Sequence, residues 1–342
     1  MSAWRDGGVD GDATGGHDGA AGAVILYQDT GRAWVASGEA ICPVQAHHGV
    51  LDRFAAAAAA RGRRAMVFGG APSLAELPGT RSLCVGAEPV WDPQRWAASV
   101  RAHRSLREKP RHARAQGVTT RWVAGDQMAA DAPLRQAVMA LVRRWLATRR
   151  MPPLRFLVDL APLIRPVASA QATDAAPHFP RVLLAERAGA LVGLLAMRPR
   201  LRGDGWQLDH LLRDPSAPNG TTTLLVHEAM SVLAGEGVRW ASLGMVPLSG
   251  TAARWTVWTR RIGGALYRFD GLDAFKRRLH PTRWEPVYLV SPQPTAPVMA
   301  LLDALRAFAG GSLWRFAMAT GRHRLTHRWR RPPKISSRPI FN

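Results

Sequence analysis

Two periodicities alternate along the chain. Short apolar runs, AVILY (23–27) and AWVAS (33–37), predict strands on either side of the turn Asp29-Thr30-Gly31. VLDRFAAAAAARGRRA (50–65) predicts a helix, because alanine favours that state and Gly62 stands near its end. AMVFGG (65–70) and SLCVGAEPVW (82–91) predict two buried strands. Residues 94–116 form a helical stretch that Pro110 should interrupt, since proline lacks the N–H and clashes with the preceding turn.

From Val118 the pattern restarts. TTRWV (119–123) predicts a strand. In residues 133–149, Leu134, Val138, Leu141, Val142 and Leu146 recur at helical spacing. FLVDL (156–160) predicts a strand and the Pro-rich segment 161–180 a loop. Residues 181–201 predict a hairpin that turns at Ala188-Gly189. Strands interleaved with helices in this way predict a mixed sheet covered by helices, an α+β fold.

The stretch WQLDHLLRDPSAPNGTTTLLVHEAM (206–230) predicts a strand, a sharp loop and a helix. Trp206, Leu208, Leu211 and Leu212 supply the strand's apolar content, with imperfect alternation. Asp214-Pro215 and Ala217-Pro218-Asn219-Gly220 are turn chemistry. Thr221 or Thr222 can cap a helix through Leu225, Val226, Ala229, Met230 and Leu233. The start of such a helix is a candidate anion site, although a capped helix without a ligand fits the same residues. Beyond it, VRWASLGM (238–245) predicts a strand, residues 266–279 one or two helices, and WEPVYLV (284–290) the strand that closes the sheet. Between them, Arg254, Trp255, Trp258, Arg260 and Arg261 interleave aromatic rings with cations, which suits base stacking or a membrane interface. Packing of an indole into the core is the alternative.

At the end of the chain, Val298, Leu301, Leu302, Leu305 and Phe308 share one helical face, and Arg322, Arg324, Arg328, Arg330, Arg331 and Lys334 follow it. Such a segment suits adsorption to an anionic membrane surface; packing of the helix on the protein's own sheet is the alternative. Residues 1–19, rich in Gly and Asp, predict a disordered head.

Composition narrows the functional classes. Hydrophobic residues make up 47% and charged residues 21%, a globular balance. The formal net charge of +21 favours polyanionic partners, nucleic acid or an anionic membrane face. An Arg-rich composition with abundant Ala, Gly and Pro accounts for the same charge without a ligand. Arg101, Arg104, Arg107, Lys109, Arg111 and Arg114 cluster in one stretch and could grip phosphates or form a solvated face. Cys42 and Cys84 fit no metal or redox spacing and predict buried thiols in a reducing cytoplasm. No signal sequence opens the chain and no run of ~18 apolar residues predicts a spanning helix. There is no HExxH, no phosphate-binding Walker loop and no dinucleotide glycine motif, so no metal and no cofactor are expected. His47-His48 is expected to be a loop pair.

Three blocks, WQLDHLLRDPSAPNGT (206–221), WASLGMVPLSG (240–250) and LYRFDGLDAFKRRLHPTRWEPVYLV (266–290), occur together and in order. They resemble the C-terminal catalytic domain of bacterial lysylphosphatidylglycerol synthases, and more closely its soluble relatives without the membrane half. A weaker resemblance extends upstream to about Tyr27. It implies two tandem GNAT-like (acyl-CoA N-acyltransferase-like) folds, at about 20–118 and 119–290, with 291–342 as an appended helix and basic tail. It also implies aminoacyl transfer from aminoacyl-tRNA to a membrane phospholipid such as phosphatidylglycerol. A cytoplasmic protein, peripheral on the inner membrane face, is expected.

The resemblance assigns residues. Leu211-Leu212-Arg213 matches the family's acidic-Leu-x-Arg element, so Arg213 would bind phosphate, but His210 stands where the lysyl-transferring enzymes carry Asp. His210 could serve as the base, or be a buried histidine with a satisfied ring. Asp209 is its neighbour and on a regular strand would face the other way. Lys276 matches the Phe-Lys of the Gly-Leu-x-x-Phe-Lys element and is expected as an exposed group lining the site. Asn219, Gly220 and Thr221 would shape an anion-binding turn, and Arg104, Arg107, Arg111 and Arg114 would contact RNA or lipid headgroups. The acetyl-CoA loop of GNAT enzymes is not evident, which argues against that donor. Two alternatives remain: an N-acyltransferase acting on a peptide or small amine, and a non-catalytic protein that binds RNA or anionic membrane.

Overall fold

The computed structural model describes residues 2–6, 23–148, 181–200, 205–247, 249 and 269–310. The expected strand at 156–160, the Trp255–Trp258 segment and the basic tail lie outside the described residues. Among the described residues, twelve strands form one sheet: β1 (Ser2–Arg5), β2 (Val24–Asp29), β3 (Ala33–Ser37), β4 (Arg64–Gly70), β5 (Arg81–Trp91), β6 (Val118–Val123), β7 (Arg181–Arg187), β8 (Ala190–Pro199), β9 (Gly205–Arg213), β10 (Trp240–Ser242), β11 (Val246–Pro247) and β12 (Arg283–Ser291). Their order across the sheet is β1-β2-β3-β4-β12-β5-β10-β9-β8-β7-β6, with β11 also on β5. The β3–β4 and β9–β10 pairs are parallel and the others antiparallel.

Helices cover both faces. On the side of the sheet that carries β1–β4, α1 (His47–Ala59) and α2 (Pro72–Ala75) pack one face around Trp34, Phe54, Val67 and Val290. The opposite face there is covered by the last described helix, numbered below. On the β6–β9 side, α3 (Trp96–Ala102), α4 (Arg104–Ala115) and α7 (Thr221–Gly235) enclose a core of Trp96, Leu106, Leu195, Leu208 and Leu225. The other face carries α5 (Gly125–Ala130) and α6 (Ala132–Ala147), whose Leu134, Val138, Leu141 and Val142 pack on Leu184, Leu194 and Leu212. The remaining α-helices among the described residues are α8 (Phe269–Arg277) and α9 (Pro297–Phe308). This is the expected α+β arrangement of mixed sheet and flanking helices.

The structure changes several expectations. Residues 2–5, expected within a disordered head, pair with β2, and Asp6 ion-pairs with Arg53 of α1. The expected last strand, β12, is an interior strand of the sheet. It lies between β4 and β5 and pairs with β5 from Arg283↔Val90 to Ser291↔Arg81. Its nearly continuous apolar run suits a strand covered on both faces. Pro110 does not interrupt α4, which runs through it. The break falls at His103, where the backbone is extended (φ −115°, ψ 112°), and the Arg107 guanidinium donates to the Val100 and Arg101 carbonyls at the end of α3.

The expected hairpin does turn at Ala188-Gly189, both with positive φ (48° and 75°), the conformation that a two-residue turn between twisted strands requires. In α9 the apolar face is divided. Ala300, Ala304 and Ala307 are buried on β3 and β4, with Leu301 and Phe308 packed beside them, while Val298 and Leu305 are exposed. The fully buried Asp303 locks the helix down by accepting from Arg64 (2.6 and 2.8 Å) and Arg306 (3.0 Å).

Candidate functional site

β9 and β10 run together for only three residue pairs, Gly205–Gln207 against Trp240–Ser242. Beyond them β10 turns away through Leu243–Met245 onto β11, while β9 continues to Arg213. Among the described strands, β9 therefore has β8 alone as a neighbour from Leu208 onward.

A β-bulge sits in that free stretch. The register passes from Ala196↔His210 to Met197↔Leu208, so Asp209 is the extra residue. The bulge shifts the alternation by one. Leu208 and Leu211, three apart, both pack on the α7 side, while Leu212 faces α6. The imperfect alternation in the sequence has this cause. Asp209 does not simply face away from His210: its Oδ2 lies 3.7 Å from His210 Nε2 and 3.2 Å from Arg198 Nε. His210 is 9% exposed. Arg213, two residues on from Leu211, falls on the α7 side of β9, opposite to His210. The structure thus joins Asp209 with His210 and separates Arg213 from them.

Where β10 turns away, the strand end is held by buried polar groups. Lys276, expected as exposed, is 4% exposed, and its Nζ donates to the carbonyls of Leu243 (2.9 Å), Gly244 (2.6 Å) and Met245 (3.2 Å). The reason is geometric: α8 points this side chain inward, at a strand end whose carbonyls have no sheet partner. Burial pulls its pKa down to about 8, against the attraction of Glu88 and Asp273. Beside it the Ser242 hydroxyl donates to Glu88 (2.6 Å) and accepts from the Gly244 N–H (3.0 Å). Desolvation raises the Glu88 pKa, opposed by Ser242 and by the charges of Arg200 and Lys276. Gly86 lets β11 approach, since a Cβ there would stand 2.4 Å from the Val246 carbonyl oxygen. Glu88 was not singled out from the sequence. The available signal was a carboxylate in the middle of the apolar run SLCVGAEPVW, which is rarely even half-buried without a partner.

The turn before α7 is largely satisfied from within. Asp214 is buried and accepts from the Ser216 N–H (2.8 Å), the Ser216 hydroxyl (2.6 Å) and Arg144. Its carboxyl pKa is lowered: burial alone would raise it, but the Ser216 and Arg144 hydrogen bonds outweigh burial. The N-cap is Gly220 (φ 96°), not a threonine. Thr221 is fully buried and its hydroxyl donates to the Pro218 carbonyl (2.8 Å). Gly220 lies against the Lys109 backbone of α4, so the start of α7 is covered by that helix, and of Asn219, Gly220 and Thr221 only Asn219 is exposed.

The α4 arginines have largely local duties. Arg104 pairs with Glu108 (2.8 Å), Arg107 caps α3, and Arg114 reaches Glu228 on α7. Arg111 is exposed. Among the described residues no group of three or more His, Cys, Asp or Glu is placed to hold a metal ion, and no helix is long and apolar enough to cross a membrane.

Solved structures resemble this chain at low sequence identity. The C-terminal domain of a protein assigned as a lysylphosphatidylglycerol synthetase from Agrobacterium fabrum superposes with a TM-score of 0.66 at 21% identity, covering 85% of this chain and 87% of that one. L-PGS from Bacillus licheniformis gives 0.64 at 18% identity, covering 84% and 86%. A GCN5-related N-acetyltransferase from Kribbella flavida gives 0.37 at 15% identity, covering 81% and 88%. No curated protein matches the sequence significantly. The family described as phosphatidylglycerol lysyltransferase, C-terminal, matches residues 17–291. That match takes in the bulged strand, the α7 turn and Lys276, and the chain belongs to this family.

Proposed function

We propose that the chain transfers an aminoacyl group from aminoacyl-tRNA to the hydroxyl of a membrane phospholipid, with phosphatidylglycerol the leading acceptor. Family membership supports the reaction class, and the Asp209 bulge is the observation that carries the mechanism. Asp209 lies beside Nε2 of His210, which leaves Nδ1 to take the proton of the acceptor hydroxyl. The hydroxyl oxygen attacks the ester carbonyl, the new ester forms, and the ribose hydroxyl of the donor departs with a proton. Asp209 offsets the charge of the imidazolium, as the acid does in a Ser-His-Asp array. Arg213 and Arg111 are the cations proposed to meet phosphates. Lys276 is a positioning residue, because it holds the 243–245 segment where β9 and β10 part.

The test is turnover of labelled aminoacyl-tRNA on phosphatidylglycerol vesicles, followed by lipid extraction. His210→Gln should lower turnover by about 10²–10⁴-fold, the range expected for loss of a general base. Asp209→Asn should lower it less, and neither should shift the melting temperature appreciably. Wild-type turnover in His210→Gln removes the base from the mechanism. A chain that binds RNA and vesicles but never yields aminoacyl lipid is instead a binding protein.

Peripheral attachment to an anionic membrane face is part of the same proposal. The exposed pair Val298 and Leu305 on α9 supports it. Removing α9 would uncover the core beneath it and strand Arg64, so point changes are the cleaner probe. Val298→Asp with Leu305→Asp should reduce sedimentation with phosphatidylglycerol vesicles several-fold without unfolding the chain. Equal sedimentation of both proteins would exclude α9 as the contact.

A further inference from the structure

A polar depression lies where α3, the end of α8 and the start of β12 meet, and its lining includes neither Asp209 nor His210. It is an open depression of about 520 Å³, within the ~300–1,000 Å³ that small-molecule sites occupy. Arg95, His103, Arg277, His280 and Trp284 wall it. The imidazoles of His103 and His280 are stacked, with centroids 3.4 Å apart and planes 1° from parallel. His280 holds φ +51°, a left-handed conformation that is uncommon for a residue with a side chain. Arg277 lies over the Trp284 ring at 4.8 Å and is steadied by Asp273 at 2.8 Å. Arg95 stands 3.7 Å from Asp92. Arg277 follows Lys276 directly, but one side chain turns outward and the other into the protein.

These groups supply two chemistries in one place. The guanidinium groups offer forked donors to a phosphate, and the flat rings offer π-faces to a base. We propose that this depression binds a nucleotide unit, with its phosphate on Arg95 and Arg277 and its base against the His103–His280 stack. A bare phosphate would leave most of the volume empty and the rings unused. A glycerophosphate headgroup has no π-face, and Pro281 is the one aliphatic side chain in the lining that could meet an acyl chain. The nucleotide can come from a free nucleoside monophosphate or from the end of a single-stranded RNA.

Calorimetric titration of the full chain at low salt tests the proposal, and it needs no transfer activity, so an inactive enzyme would not affect it. The probes are AMP, adenosine, inorganic phosphate, a short oligoadenylate and dihexanoyl phosphatidylglycerol. AMP should bind at least tenfold more tightly than adenosine or phosphate. Oligoadenylate tighter than AMP assigns the pocket to an RNA strand, and equal or weaker binding assigns it to the free nucleotide. Arg95→Gln with Arg277→Gln should weaken AMP at least tenfold. Ser99→Glu places a carboxylate in the lining without removing a contact and should do the same. AMP binding that survives both variants, phosphate binding as tight as AMP, or displacement of AMP by the lipid would overturn the proposal.

Discussion

Gly220→Ala should destabilise the protein by about 2–5 kcal/mol, a large part of the ~5–15 kcal/mol that holds a domain folded. Two effects add. Gly220 has φ +96°, which costs a residue with a Cβ about 1–2 kcal/mol. The new Cβ would also stand 2.2 Å from the Lys109 carbonyl oxygen and 2.8 Å from its carbon. Both are backbone atoms of α4, so one helix must move, and overpacking of that kind costs about 1–3 kcal/mol. Gly62→Ala is the control, because Gly62 has φ +66° and nothing within 4 Å of the added atom. It should cost about 1–2 kcal/mol. Urea unfolding of the three proteins separates backbone strain from the helix contact. Equal losses in the two variants would mean that α4 yields freely at Lys109.

Lys276→Met should flatten the dependence of stability on pH. In the folded protein the Lys276 pKa is near 8, and in the unfolded chain it returns to 10.5. Between those values the unfolded chain holds the proton that the folded one has released. Unfolding then takes up a proton, so stability rises with pH across this window. A shift of that size amounts to about 3 kcal/mol gained between pH 8 and 10.5. The variant lacks the group and should lack the rise. Below pH 8 the wild type carries the desolvated ammonium, and its three carbonyl acceptors offset part of that penalty. Unfolding titrations at several pH values, read as the difference between the two proteins, isolate the group from other bases. Parallel profiles would show that Lys276 stays charged throughout.

Local signals in the sequence were legible where a single element decides them. The Ala188-Gly189 hairpin, the buried face of α7 and the α6 stripe of Leu134, Val138, Leu141 and Val142 were each set by spacing or turn chemistry. The bulge at Asp209 was written into the faulty alternation of Trp206, Leu208, Leu211 and Leu212, but an irregular pattern does not say which residue is extra. Pro110 misled because a helix can lose one hydrogen bond and continue when packing holds it, and Pro110 is buried. The exposure of Lys276 could not be read locally. A lysine on an amphipathic helix is usually solvated, and the acceptors that hold it are more than thirty residues away. The pairing of β12 between two early strands is likewise a long-range choice.

That pairing has a consequence for how the chain is made. β4 and β5 are synthesised early, but the strand that joins them is residues 283–291. Until those residues leave the ribosome, β4 and the flank of β5 that β12 covers are open edges able to recruit any passing strand. Contacts of such sequence separation also form slowly. The chain therefore spends most of its synthesis with a gap in the middle of its sheet, and a nascent fragment ending before Arg283 is the species a chaperone would need to guard.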